Sequence, residues 1–282
     1  MSLRSQLRQR AWLARFSFLL WLAFAIGISL ASWHLFPDAH FWVDGGIQGI
    51  KLVVLVDLVL GPVLFFLVAH PEKSARLRRL DSIVLFSIQL AAIAWGSWQV
   101  FTQRPVAISH LEDGYAVPLI PGYFRAQNVT LESLPASAIG HLPAFRATLP
   151  RGGALAALQE MINSGIPVAA RARFLSPLLD HREAVFGDEG RFHRYLQGPG
   201  QALWAAWVAD HPGRAPADYH YLVLAGRHGN ALLLLDRDYR YAGHLRLPGE
   251  GIPPELLPPM RLPDAPAPAT PPPAPVHAAR AA

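Results

Sequence analysis

The stretch Leu52 to Ala69, LVVLVDLVLGPVLFFLVA, decides how the rest of this chain is read. Leu, Val and Phe fill 14 of its 18 positions, enough apolar side chain to enter a bilayer. It also carries one acid, Asp57, and a Gly61-Pro62 break. A central aspartate costs about 2.5–3.5 kcal/mol on insertion, and each Leu, Val or Phe returns about 0.3–0.6 kcal/mol. The balance favours insertion, so the stretch reads as a membrane span. Two further apolar runs flank it, Phe16 to Phe36 and Ile83 to Phe101. Each approaches the roughly 20 residues that a hydrocarbon core of about 30 Å requires.

Charge placement orients these runs. Arg4, Arg8, Arg10 and Arg15 precede the first; Lys73, Arg76, Arg78 and Arg79 follow the second. Basic segments stay on the cytoplasmic side. The expectation is therefore a multi-pass protein of a bacterial inner membrane with three transmembrane helices (16–36, 52–69 and 83–101). Its N-terminus, residues 1–15, would be cytoplasmic. A periplasmic α+β domain would follow over 104–260, and a disordered Pro/Ala-rich tail over 261–282. The first run also suits a secretory signal, with Ser29-Leu30-Ala31 as a cleavage site, although its apolar part is long for one.

Composition agrees with a chain of two characters. Hydrophobic residues make up 52% of its 282 residues, and they concentrate in the first third. The formal net charge of +5 comes from the topogenic arginines. Acids and bases nearly balance from Arg104 to Arg261, so no basic face for nucleic acid is expected. With no cysteine, disulfides, thiol catalysis and cysteine-ligated metals are excluded. From Arg261 onward 15 of 22 residues are Pro or Ala, a composition that cannot bury enough apolar surface to order itself.

Within the spans, Asp57 is the residue most suggestive of function, because intramembrane acids usually face a partner. Gly61 lies one turn further on the same face. Pro62 frees the carbonyl of Leu58 and should kink the helix. Two readings stay open for Asp57: a hydrogen bond that sets the bundle, to Ser29 or Ser32, or a contact for another transmembrane helix. Gln89 offers a second interhelical hydrogen bond. Ala23, Gly27 and Ala31, and likewise Ala92 and Gly96, form small-residue faces that let helices approach closely. Arg104 and Pro105 read as an exit anchor, the cation at the headgroups and the proline ending the helix.

Five short motifs stand in one order: Val56-Asp57-Leu58-Val59-Leu60-Gly61-Pro62, His70-Pro71-Glu72-Lys73, Arg79-Leu80-Asp81, Gln89-Leu90-Ala91 and Arg104-Pro105-Val106. Together they make the chain resemble the type IV pilin accessory proteins. The resemblance is best from Leu52 to Val106 and weaker over Tyr219 to Leu247. It implies a non-enzymatic, chaperone-like inner-membrane helper that binds or stabilises pilin subunits and modulates pilus assembly. The implied partners are the major pilin, through its transmembrane helix and head, and the lipid bilayer. The chain departs from the family at His110-Leu111-Glu112-Asp113-Gly114, which interrupts a strand, and in its tail. A membrane-anchored ligand-binding sensor acting through a partner protein is the alternative.

Downstream, Val106 to Leu111 and Tyr115 to Ile120 read as two strands about Glu112-Asp113-Gly114. Leu155, Leu158 and Ile162 fall at helical spacing, ended by Gly165 and Pro167. Pro177 to Val185 and Gln201 to Ala209 read as helices, the latter with Leu203, Trp204, Trp207 and Val208 on one side. Tyr219 to Ala225, Ala231 to Asp236 and Tyr241 to Leu247 read as an antiparallel meander. His181, Glu183 and His193 have no established zinc spacing, and Ser133, Ser137 and His141 suggest no acid–base geometry. No catalytic motif is present, so neither cofactor nor metal is expected.

Overall fold

The computed structural model describes residues 22, 26–27, 29–51, 74–149, 152–249 and 251–258. Helix α1 is His40–Val43 and α2 is Ala75–Gln103. There follow β1 (Ala107–His110), β2 (Ala116–Leu119), α3 (Pro121–Arg125), β3 (Ser137–Ile139), β4 (Leu142–Ala147) and α4 (Ala154–Ser164). Then come β5 (Leu175–Pro177), α5 (Arg182–Phe186), α6 (Gly190–Gln197) and α7 (Gln201–Asp210). The last three strands are β6 (His220–Ala225), β7 (Asn230–Leu235) and β8 (Tyr241–Leu247). This is an α+β fold.

The strands build one sheet of eight, in the order β3-β4-β1-β2-β6-β7-β8, with β5 also on β4. Strand β4 shares one edge between β3 and β5: Leu142 to Ala144 pair with β3, and Phe145 to Ala147 pair with β5. Its other edge runs parallel to β1. The expected hairpin β1–β2 forms, with Gly114 at φ 85° in its turn. The expected meander β6–β7–β8 forms as well. These two units join through one parallel pairing, Ala116 opposite Leu224.

Strand β7, NALLLL, is buried along its whole length, as a central strand covered on both faces must be. On one face Leu222, Leu224, Leu233 and Leu235 pack with Leu178, Val185 and Phe186, and with Ala39 and Val43 from the preceding segment. On the other, Tyr221, Val223, Leu232, Leu234 and Leu245 meet Phe192, Tyr195 and Leu196 of α6 and Trp204 and Trp207 of α7. Each such side chain contributes about 1.5–3 kcal/mol by leaving water. A third cluster, centred on Phe145, Phe124 and Leu119, closes the β1–β4 end. Gly243 lets α7 lie this close, because a Cβ there would stand 2.1 Å from Trp207 Cη2.

The membrane architecture expected from the sequence is corrected here. Among the described residues no helix is long and apolar enough to cross a membrane. That finding overturns both the three-span fold and the multi-pass inner-membrane placement. Helix α2 has the length, at 29 residues, but Ser87, Gln89, Gly96, Ser97 and Gln99 interrupt its apolar run, and its first turns carry Arg76, Arg78, Arg79 and Asp81. Ser74 caps its start by accepting from the Leu77 amide at 3.4 Å. Its end is fixed by Arg104, whose Nη1 donates to the Phe101 carbonyl at 2.7 Å while the guanidinium lies 3.8 Å from the Phe101 ring centre. Buried Pro105 follows, and the chain turns directly into β1. The second apolar run, residues 16–21, 23–25 and 28 of the first, the basic N-terminus and the Pro/Ala-rich tail lie outside the described residues.

Two further readings change in detail. The helix expected at Pro177 to Val185 is a 3₁₀ turn, Leu178–His181, continuing into α5, as Pro177 supplies only the extended entry. Helix α4 forms and ends on Gly165 in the left-handed region. Its stripe of Leu155, Leu158 and Ile162 points outward, however, at 82%, 46% and 68% exposure. Among the helix residues whose burial is described, small Ala157 is the one buried.

Candidate interaction site

The site is assembled where the turn between β6 and β7 meets the segment before the long helix. Residues 36–44 lie against the sheet with Phe36, Ala39, Phe41 and Val43 buried. This forces His40 and Asp44, one helical turn apart, into the interior at 4% and 2% exposure. They bond to each other through His40 Nδ1 and a carboxylate oxygen of Asp44. A buried carboxylate needs donors, and Asp44 takes another from the amide of Arg227 at 3.2 Å. Next to it, the His228 amide donates to the Val43 carbonyl at 2.8 Å. Gly226 permits this approach, since a Cβ there would meet the Val43 carbonyl oxygen at 2.5 Å and Asp44 Oδ1 at 2.7 Å. The Arg227 side chain then reaches the end of α2, donating to Gln103 Oε1 at 2.7 Å and to its carbonyl at 3.0 Å.

A groove of about 340 Å³ opens beside this junction. It is lined by Trp42 and Val43, by His228 to Asn230 of the β6–β7 turn and start of β7, and by Arg246 to Gly249 at the end of β8. The Arg246 guanidinium stands 5.1 Å from the Trp42 ring centre, a cation–π pairing. Arg246 is exposed and projects from β8, the sheet's outer strand, which among the described residues pairs with β7 alone. Among the described residues the lining holds no carboxylate, hydroxyl or thiol. Apolar wall, amide groups and one cation can grip an extended segment bearing an acidic or aromatic side chain. They offer no pairing of nucleophile and base.

A polar cluster lines the same edge. Tyr241 Oη and His244 Nδ1 are 2.7 Å apart, and Asp38 pairs with His141 at 3.1 Å. Burial, and then the Asp38 charge, pushes the Tyr241 hydroxyl above its usual range. Burial likewise holds His244 below the ordinary imidazole value, with Asp38 opposing the shift.

The sequence-predicted residues mostly fall elsewhere. Asp57, Gly61, Pro62 and Ala23 lie outside the described residues. Gln89 and Ala92 belong to α2. Ala31 is exposed. Among the described residues nothing lies within 4 Å of the Cβ position at Gly27 or Gly96. Arg104 and Pro105 stand at the end of α2, Arg104 as its C-cap. His181 bonds to Ser176 Oγ at 2.8 Å and His193 stands edge-on to Tyr221, so the two do not converge; no group suited to a metal ion occurs among the described residues. Ser137 accepts from the Leu179 amide and His141 faces Asp38, so that trio separates too. Sequence reading missed Trp42, Asp44, Arg227 and Arg246. The available signal was slight: Arg246 falls on the polar side of the β8 alternation, and Arg227 sits in the expected turn.

Comparison with known proteins gives a partial similarity. The chain is 29% identical over 130 residues to the serogroup E1 fimbrial assembly protein of Dichelobacter nodosus, covering 44% of this chain and 46% of that protein. It is 28% identical over 142 residues to the serogroup I protein of the same organism, covering 50% and 51%. With the protein of serogroups C1 and C2 it shares 29% over 86 residues, covering 30% and 64%. The chain thus spans about half the length of the first two relatives. No family model matches, and no solved structure matches. The similarity, though weak, supports a kinship with proteins of fimbrial biogenesis.

Proposed function

We propose that this chain is a non-enzymatic, chaperone-like accessory factor of type IV pilus assembly that binds pilin subunits. The observation that supports it is the similarity to fimbrial assembly proteins over 130 residues. The groove suggests how binding would work. An extended pilin segment would add to the open edge of β8 by main-chain hydrogen bonds, and one acidic or aromatic side chain would enter between Trp42 and Arg246. Such pairing holds a subunit without altering it chemically, and it is reversible, as an assembly helper requires.

Crosslinking in intact piliated cells, with the full chain tagged and its adducts identified, tests this reading. Recovery of pilin as a major adduct is the expected result. Absence of pilin from the adducts of a normally piliated, normally expressing strain refutes it.

A further inference from the structure

The end of β1 carries a buried basic cluster that the groove does not use. His110 is 3% exposed and stands opposite Arg146 of the parallel strand β4. Neighbouring strands lie about 4.8 Å apart, so the two side chains rise from the same face of the sheet side by side. Arg191 of α6, itself 7% exposed, acts on the same imidazole. Burial first, then Arg146 and Arg191, pulls His110 down to about 3, so two fixed cations surround a neutral ring.

These groups are short of partners. His110 Nδ1, Arg146 Nη1 and Arg191 Nε are all buried without a hydrogen bond. Arg171, Arg173 and Arg237 stand in ion pairs; neither Arg146 nor Arg191 is in any of these. Asp188 is the acid whose charge acts on Arg191. A guanidinium cannot shed its proton to escape burial. Buried charge is tolerated where a counter-charge and hydrogen bonds meet it, and two buried guanidinium donors beside an unpaired imidazole nitrogen call for a polar partner.

We propose that His110, Arg146 and Arg191 form a site for a small oxyanion, a carboxylate or a phosphate. Its oxygens would accept from the two guanidinium forks, the arrangement that suits such groups best, and from His110 Nδ1. An anion there also favours the charged imidazole, so binding takes up a proton and tightens as pH falls.

Calorimetric titration of the full chain with sodium phosphate and, separately, sodium acetate tests this against sodium chloride at equal ionic strength. One saturable site is expected for at least one oxyanion, and the two arms tell phosphate from carboxylate; the pH comparison is read on acetate, which stays mostly ionised and should bind more tightly at pH 5.5 than at pH 7.5, because phosphate itself gains a proton in this range. Arg146→Gln and Arg191→Gln should each weaken it at least about tenfold, while Arg173→Gln, at an exposed ion pair, leaves it unchanged. Circular dichroism checks that each variant folds; if Arg191→Gln does not, the half-buried Arg146→Gln carries the comparison, and His110→Gln should abolish the pH dependence. Oxyanion binding no stronger than chloride, or binding that survives both Arg146→Gln and His110→Gln, overturns the proposal.

Discussion

Arg227 holds the end of the long helix by donating to both oxygens of Gln103, at 2.7 Å and 3.0 Å. Its own amide rests on buried Asp44. One turn residue thereby ties three segments that are far apart in sequence: the stretch before the helix, the helix end, and the β6–β7 turn. Arg227→Ala removes the side-chain part alone. Amide exchange at Gln103 and Arg104 should accelerate by roughly tenfold, while global stability falls by less than about 1.5 kcal/mol, since both bonds are exposed. Unchanged exchange there would show that the contact restrains nothing.

Asp44 is the costlier loss. Asp44→Ala strands the imidazole of His40 and the Arg227 amide without an acceptor in the interior. Destabilisation of about 2–4 kcal/mol is expected in urea unfolding. Asp44→Asn keeps one acceptor oxygen and should lose less.

Gly243 and Trp207 give a packing test. Gly243→Ala drives a methyl into the indole ring, and overpacking of this kind costs about 1–3 kcal/mol. Gly251→Ala, where nothing lies within 4 Å, should be nearly neutral in the same urea titration. Equal midpoints for the two variants would contradict the close approach of α7 to β8.

His110 links stability to pH. Its folded value lies at about 3, whereas an unfolded histidine titrates near 6.5. Between those values the unfolded chain binds the extra proton. The stabilisation is therefore full above about pH 6.5 and is lost progressively as pH falls toward 3. His244, also held low by burial, adds in the same direction. Urea midpoints measured from pH 7 to pH 4 should decline, and His110→Gln should flatten the decline without removing it. An identical slope in the variant sinks this assignment.

Arg246 tests the groove. Arg246→Glu reverses its one cation and removes the stacking on Trp42, with no buried partner to disturb. If pilin binds there through an acidic group, its recovery by crosslinking should drop about tenfold or more. Circular dichroism should stay as in the wild type. Undiminished recovery would move the contact to another surface.

Much of the local structure was written in the sequence. The β6–β7–β8 meander follows from alternating or continuous apolar runs between Gly, Asn and Asp turns, and α4 from its spacing and Gly165. These signals are local, and each element carries its own pattern. Their burial was less legible. The spacing of Leu155, Leu158 and Ile162 specifies a helix face but not whether that face turns inward, and here Ala157 makes the contact instead. The apolar runs pointed to three membrane spans; among the described residues no helix is long and apolar enough to be one, because polar residues divide the run carried by Ala75–Gln103.

What the tertiary structure decided was everything that depends on pairing across long separations. The strands Ser137–Ile139 and Leu175–Pro177 are three residues each, too short to show a period, and exist because β4 offers them one edge in two halves. The parallel joins β1–β4 and β2–β6 leave no trace in either partner's sequence. Trp42 and Arg246 become one groove, and His110, Arg146 and Arg191 one basic cluster, solely through that topology. The sequence by itself determined which segments could be strands and helices; which side chains meet was settled by packing, since a contact between distant residues is a property of the whole fold.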